Sequence, residues 1–199
     1  MSEERPDAGL PKGRQPGIAA PRLLLRPLQR HDAGAVHRLA GDPEVSATAL
    51  HIPHPFGHGQ AEAWIEKVEA GWRTGRLAAF AAVLPDTGEL CGAAGLTMDP
   101  LPASGSAELG LWIGRSFWGR GYGYEAALAL MGWGFKEVGL RRIHASHLAG
   151  NRRSEGILRK LGMREEGVLR AHALHRGEFH DLQLWGILAA EWPPQEVAP

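Results

Sequence analysis

Residues 118–126 read Trp118-Gly119-Arg120-Gly121-Tyr122-Gly123-Tyr124-Glu125-Ala126, and the three glycines fall where an alternating segment gives way to a helical one. Upstream, Ala107, Leu109, Leu111 and Ile113 alternate with Glu108, Gly110, Trp112 and Gly114, the period of a strand with one apolar face. Downstream, Ala126, Ala127, Leu130, Met131, Gly134, Phe135 and Val138 trace the wide apolar stripe of a largely buried helix starting near Tyr122. Glycine tolerates positive φ and lets a ligand approach the backbone, and the first N–H groups of a helix have no partner inside it, so such a turn attracts anions. Pyrophosphate is the natural guest. The helix dipole supplies only about 0.3–1 kcal/mol, so affinity must rest on several charge-assisted hydrogen bonds of roughly 1.5–3 kcal/mol each.

Two familiar phosphate loops do not fit. The string G-x-x-x-x-G-K-[ST] occurs nowhere in the chain. A dinucleotide fingerprint can be forced on Gly121-x-Gly123-x-x-Ala126, but the next strand runs out in Leu148-Ala149-Gly150 without the acidic residue that would hold a ribose. A packing turn with no ligand is the plain alternative.

Working outward, residues 142–148 read as a strand and 151–161 as a helix ended by Gly162. Residues 164–174 and 179–188 read as two strands joined at Arg176-Gly177. Before the alternating strand, 77–84 and 89–97 form a hairpin about Pro85-Asp86-Thr87-Gly88. Trp64, Val68 and Trp72 mark a helix, 42–59 is a loop broken by Pro43, Pro53, Pro55 and Gly57, and 22–28 and 32–40 read as strand and helix. The order β-α-α-β-β-β-α-β-α-β-β predicts an α+β fold with a mixed, mostly antiparallel sheet and helices on both faces. At 199 residues one domain is expected, over 22–192, between a flexible Pro-bearing leader at 1–21 and a frayed tail at 193–199.

Composition narrows the function. Lys+Arg and Asp+Glu both number 22, so net charge is zero and no electrostatic excess points to nucleic acid or an anionic membrane. The longest apolar run, 78–84, is far short of the roughly 20 residues a membrane helix needs. Cys91 has no partner for a disulfide and is read as a small buried hydrophobe, which fits a reducing, cytoplasmic setting.

With the Glu108-to-Gly114 strand before the loop and Asn151-x-x-Ser154-x-x-Ile157-Leu158-x-Lys160-Leu161-Gly162-Met163 after it, the chain resembles the GNAT superfamily of acetyl-CoA-dependent N-acetyltransferases over 22–192. Within it the chain is similar to the RimJ/RimL type, which acetylates N-terminal amines of ribosomal proteins and includes enzymes acting on small amines. The general loop is [QR]-x-x-G-x-[GA]; Trp118 replaces its first residue, as is common in that branch. The resemblance implies a sheet splayed at acetyl-CoA, with Leu111, Trp112 and Ile113 along pantetheine, the backbone N–H groups of Arg120, Gly121, Tyr122, Gly123 and Tyr124 at the pyrophosphate, and Trp118 and Gly119 also at the cofactor. It further implies that Asn151 bonds pantetheine and that Ser154 lies near the thioester sulfur, while Arg115 is a candidate extra charge for the phosphates. No metal is implied.

Acetyl transfer to an amine needs the amine neutral, the oxyanion stabilised and the thiolate protonated. Glu108 is the candidate base, or alternatively a group that positions the acceptor; Ser154 is the candidate proton donor, or alternatively a first-turn cap partner. A backbone N–H of 111–113 is the candidate oxyanion donor. An α-amine titrates near 7.7–8.0 against about 10.4 for lysine, so a carboxylate base suits a protein N-terminus better. A small amine (polyamine, amino acid or amine antibiotic) is the first alternative acceptor, and an acyl-CoA-binding sensor without turnover is the alternative of another class. An acidic-rimmed cleft would favour a basic tail, and a closed pocket a small molecule. His51, His54 and His58 have spacing that invites zinc, but their loop holds no acidic ligand, so they are read as shaping the acceptor cleft. His172, His175 and His180 beside Asp181 are read as strand-end surface groups by the last hairpin, or alternatively as lining the acceptor site. Uncovered strand edges leave room for a homodimer.

Overall fold

The structure, a computed structural model, describes residues 9–100 and 104–193. Eight strands form one sheet in the order β1-β2-β3-β4-β5-β6-β8-β7. They are β1 (Ile18–Ala19), β2 (Leu24–Pro27), β3 (Leu77–Val83), β4 (Leu90–Met98), β5 (Ser106–Ile113), β6 (Arg142–Leu148), β7 (Arg164–His175) and β8 (Glu178–Leu188). Every neighbouring pair is antiparallel except β5 and β6. The helices are α1 (Ala33–Ala40), α2 (Pro43–Ser46), α3 (Gln60–Arg73), α4 (Tyr122–Lys136) and α5 (Arg152–Lys160). The predicted α+β class and element order hold, with two additions.

The first addition is α2, inside the segment read as loop: Asp42 caps it by accepting the Glu44 N–H at 2.8 Å, and Pro43 fills the first helical position. The second is β1. From Gly9 onward the segment expected to be a flexible leader is tied to the domain. The Gly9 N–H donates to the Val138 carbonyl, Trp72 Nε1 to the Gly13 carbonyl at 2.7 Å, Gln15 Nε2 to the Ala79 carbonyl at 2.9 Å, and Ile18 and Ala19 pair with β2. Fixing this stretch satisfies backbone groups that would otherwise lie bare on the β2 edge. The rest of the leader, 1–8, and of the tail, 194–199, lies outside the described residues.

The strand alternation sets the layers. Leu111 and Ile113 face α4, where a Cβ on Gly123 would lie 3.4 Å and 3.5 Å from them, whereas Trp112 points to the other face and meets Trp64 of α3 edge-on at 6.4 Å. α4 buries Ala126, Ala127, Leu130 and Met131. A Cβ on Gly134 would stand 2.9 Å from Leu96 and 3.1 Å from Leu140, so this glycine sets how closely α4 lies on the sheet. On α3 the buried face is Ala61, Ile65, Val68 and Trp72, and Trp64 is only half-buried.

Candidate active site

The one parallel junction opens the sheet. β5 and β6 pair only at Ser106 with Arg142, Ala107 with Ile143 and Glu108 with His144. Beyond Glu108, β5 continues to Ile113 hydrogen-bonded to β4, while β6 continues to Leu148 hydrogen-bonded to β8. The two strands part, and one edge of residues 109–113 has no strand partner among the described residues. The indole N–H of Trp118 donates to the Ile113 carbonyl at 2.7 Å, closing the far end of that edge, and the Arg153 guanidinium stacks over the same indole at 4.1 Å.

The glycine loop stands at the mouth of the opening. Gly119 and Gly121 have φ of 75° and 81°, and Gly121 precedes the first turn of α4 with no side chain among the described residues capping it. The first N–H groups of α4 are therefore available to a ligand. Gly123 sits where α4, β5 and α5 converge: a Cβ there would lie 3.1 Å from Ile157 as well as against Leu111. Loop, splayed strand and α5 thus share one locus.

A clasp that no local pattern in the sequence announces fixes the loop from behind. Glu125 is buried; its carboxylate accepts the main-chain N–H of Arg22 and, at 2.7 Å, the Arg22 Nε–H. Arg22 Nη1 donates to the Arg120 carbonyl at 3.1 Å, and the guanidinium lies 5.0 Å from the Tyr122 ring centre.

Asn151 is the N-cap of α5: its Oδ1 accepts the Ser154 N–H at 3.2 Å, and its Nδ2 donates to the Thr48 carbonyl at 3.3 Å. Both ends of this amide are thus engaged within the chain, and Ser154, half-buried in the first turn, lies directly above it. Arg115 lines a separate cavity of about 510 Å³ with Arg38, Leu39, Asp42 and Ser116.

Glu108 is half-buried and accepts a hydrogen bond from Ser146 Oγ at 3.0 Å. It faces a cavity of about 520 Å³ on the sheet face opposite α4. Leu50, Leu169, Leu174, Leu182 and Leu184 supply much of the wall, and His51, His144 and His172 supply its nitrogen atoms. His172 reaches it through a bulge. The β7–β8 register shifts between Leu169 and Ala173, Ala171 takes φ of 47°, and Asp181 Oδ1 holds the bulge by accepting the Ala171 N–H at 2.7 Å. At the hairpin tip Arg176 and Gly177 have φ of 52° and 85°, and Arg176 Nη2 donates to Ser46 Oγ at 2.8 Å and to the Pro43 carbonyl at 2.7 Å, strapping the hairpin to α2.

The histidines separate. His51 lines the cavity, whereas His58 stacks on His37 at 5.8 Å. His175, expected at the surface, is instead buried, because the alternation of β7 turns its end inward; its Nε2 is unpartnered among the described residues, and its ring meets His180 edge-on at 6.0 Å. Among the described residues no group of three His, Cys, Asp or Glu side chains is placed to hold a metal ion. Sequence reasoning missed Asp99, His144 and Ser146. Alternation on 142–148 puts His144 and Ser146 on one face of β6, whereas no local pattern marks Asp99. His144 Nε2 lies 3.0 Å from Asp99 Oδ1. Burial alone would raise the Asp99 carboxyl, but hydrogen bonds from His144 and Ser106 and the charges of His144 and Arg142 outweigh it and hold the group below its ordinary value.

Comparison with solved structures places this fold among acetyltransferases. RimJ of Mycobacterium smegmatis, solved in complex with CoA-disulfide, matches at a TM-score of 0.82 and 26% identity, covering 90% of each chain. The family model of the acetyltransferase (GNAT) domain matches residues 22–164, more than half of the chain, and the chain belongs to that family. It is accordingly a GNAT N-acetyltransferase using acetyl-CoA. The N-acetyltransferase p20 of Bacillus licheniformis is 30% identical over 171 residues, 86% of this chain and 95% of the relative. The [ribosomal protein uS5]-alanine N-acetyltransferase of Escherichia coli is 28% identical over 110 residues, 55% of this chain and 57% of the relative. No helix among the described residues is long and apolar enough to cross a membrane.

Proposed function

We propose that this acetyltransferase moves acetyl from acetyl-CoA to one primary amine borne on an apolar body, foremost the N-terminal α-amine of a polypeptide. The observation that carries this reading is the wall of the Glu108 cavity. Glu108 is its only carboxylate among the described residues, set among leucines and imidazoles. The cleft is neither acid-rimmed nor closed, so it matches neither a strongly basic tail nor a polyamine or aminoglycoside, whose several ammonium groups would find one counter-charge between them.

In this reading the pyrophosphate rests on the N–H groups of residues 120–124, and pantetheine lies along the unpaired edge of residues 111–113. The parted strands and the uncapped start of α4 support that placement. Because Trp118 already takes the Ile113 carbonyl, its part is to hold the strand end and the loop together. Asn151, with both ends engaged, orients the first turn of α5 and with it Ser154. The amine, neutral after losing a proton, attacks the thioester carbonyl. Glu108 takes the proton released as the C–N bond forms, directly or through one water, while Ser154 passes its hydroxyl proton to the sulfur as the C–S bond breaks and regains one from solvent. No acyl-enzyme forms.

The test is acetyl-CoA-dependent thiol release against peptides with varied N-termini, polyamines, amino acids and amine antibiotics, on wild type and Glu108→Gln. Apolar N-terminal peptides should be preferred, and Glu108→Gln should lower kcat by about 100-fold or more with little change in acetyl-CoA binding. A polycation as the best acceptor, or an unchanged kcat in the variant, would overturn it.

A further inference from the structure

We propose that His144, oriented by Asp99, is a second proton acceptor of the acceptor cavity and neutralises the incoming ammonium before Glu108 acts. This rests on the acetyl-transfer reading above. Stoichiometry motivates it. An amine that arrives protonated must lose two protons on its way to the amide, one before attack and one after it. A carboxylate holding the first proton cannot accept the second until it has emptied. Imidazoles as a class titrate about two units above carboxylates, which brings them closer to an α-ammonium and makes the first transfer less uphill.

The geometry supplies the second acceptor beside the first. His144 faces Glu108 across the last pair of the parallel junction, at the point where the strands part, and its ring lines the same cavity. Asp99 Oδ1 lies 3.0 Å from His144 Nε2. Asp99 is held in its acceptor-only, ionised form, so Nε2 carries the ring proton, and Nδ1 of the neutral ring, a lone-pair acceptor, has no hydrogen-bond partner among the described residues. The first step is then R–NH3+ losing one N–H bond as the Nδ1–H bond forms, directly or through one water. The nitrogen lone pair is freed for attack, and the imidazolium that results is stabilised by Asp99 before the proton passes to solvent. Asp99, which acts through His144 and is not among the residues lining the cavity, is a positioning residue.

The charged and titratable groups around the ring come from every neighbouring strand. Asp99 lies just past β4, Glu108 on β5, and Arg142 on β6 itself, paired with Glu166 of β7. His51 and His172 line the same cavity, and the residue opposite on β8 is Gly186, which brings no charge. Ser146 spends its one hydroxyl hydrogen on Glu108, and a neutral hydroxyl is too weak a base to take a proton from an ammonium.

The experiment measures pH profiles of kcat/KM for an α-amine peptide at saturating acetyl-CoA, with calorimetric acetyl-CoA binding for each variant. His144→Gln should lower kcat/KM roughly 10- to 100-fold near neutral pH. That deficit should shrink as pH passes the α-amine value and the acceptor arrives neutral, while the acetyl-CoA Kd stays within about twofold. Asp99→Asn should reproduce part of the His144→Gln deficit over the same pH range, because the ring loses the contact that orients it, while the acetyl-CoA Kd again stays within about twofold. Added imidazole should restore part of the activity of His144→Gly. A deficit in His144→Gln that is constant across pH, together with no rescue of His144→Gly, would reduce the pair to scaffolding and overturn the proposal alone. A wild type that binds acetyl-CoA and acetylates no amine would overturn the acetyl-transfer reading, and this proposal with it.

Discussion

Arg22→Ala should disturb the glycine loop from outside the ligand site. The guanidinium is about half-exposed, with 54% of the side chain accessible, against 8% for Glu125. It bonds the carboxylate at 2.7 Å and the Arg120 carbonyl at 3.1 Å. Exposed pairs contribute about 0–1 kcal/mol, whereas breaking a fully buried pair costs about 3–5 kcal/mol. A pair buried on one side falls between, so Arg22→Ala should destabilise by about 2 kcal/mol, or about 4–8 °C in Tm for a domain of this size. The sharper expectation is a change of sign. Glu125→Gln in the wild type weakens the clasp and should cost about 1 kcal/mol. In the Arg22→Ala background it removes a buried charge left with one main-chain N–H, and should be neutral or stabilising. Urea unfolding followed by tryptophan fluorescence on the four proteins of this cycle reads both values. A Glu125→Gln cost equal in the two backgrounds within about 0.5 kcal/mol would refute the clasp as an energetic unit.

Three further outcomes follow from the same structure. Gly119→Ala and Gly121→Ala, at φ of 75° and 81°, should each lose about 1–2 kcal/mol in urea unfolding through left-handed strain. Gly121→Ala should lose the more, because its Cβ lies 3.3 Å from Arg22 Nη2 while that of Gly119 meets nothing within 4 Å. Burial alone would raise the Asp32 carboxyl, but hydrogen bonds from Arg26 and the Gln29 N–H, with the charges of Arg26 and His31, hold it below its ordinary value. Its stabilisation is therefore complete above the unfolded value near 3.9 and is lost as pH falls through the lower folded one. Asp32→Asn should cost about 3 kcal/mol at pH 7, and the gap to wild type should close in acid, read by urea midpoints across pH. Cys91 is buried, and desolvation above all pushes its thiol up to about 11, so a thiol reagent should label it at pH 8 only at the rate of unfolding.

Which features were legible in the sequence follows the range of the interaction. The alternation of 107–113 and the glycines before Tyr122 are set by neighbours in the chain, so strand, turn and helix could be read directly. The Asp42-Pro43 start of α2 was equally local and was masked by the other prolines of its loop. β1 is two residues long in a proline-bearing stretch and exists only because β2 offers an edge, a tertiary effect that propensity does not carry. The candidate site divides the same way. The loop and the Asn-Ser helix start carry motifs, whereas Arg22 and Glu125 lie 103 residues apart and Asp99 and His144 lie 45 apart. How far β5 and β6 stay paired before they part is likewise a property of two strands joined through a helix, and neither strand records it alone.

The most direct test is mass spectrometry of the products when the protein, acetyl-CoA and an equimolar mixture of an apolar N-terminal peptide, the same peptide with a blocked N-terminus but a free lysine, and a polyamine are incubated together. The predicted result is one acetyl group on the α-amine of the unblocked peptide for each thiol released. Acetylation confined to the lysine or the polyamine, or acetyl-CoA bound with no acceptor modified, would contradict the account.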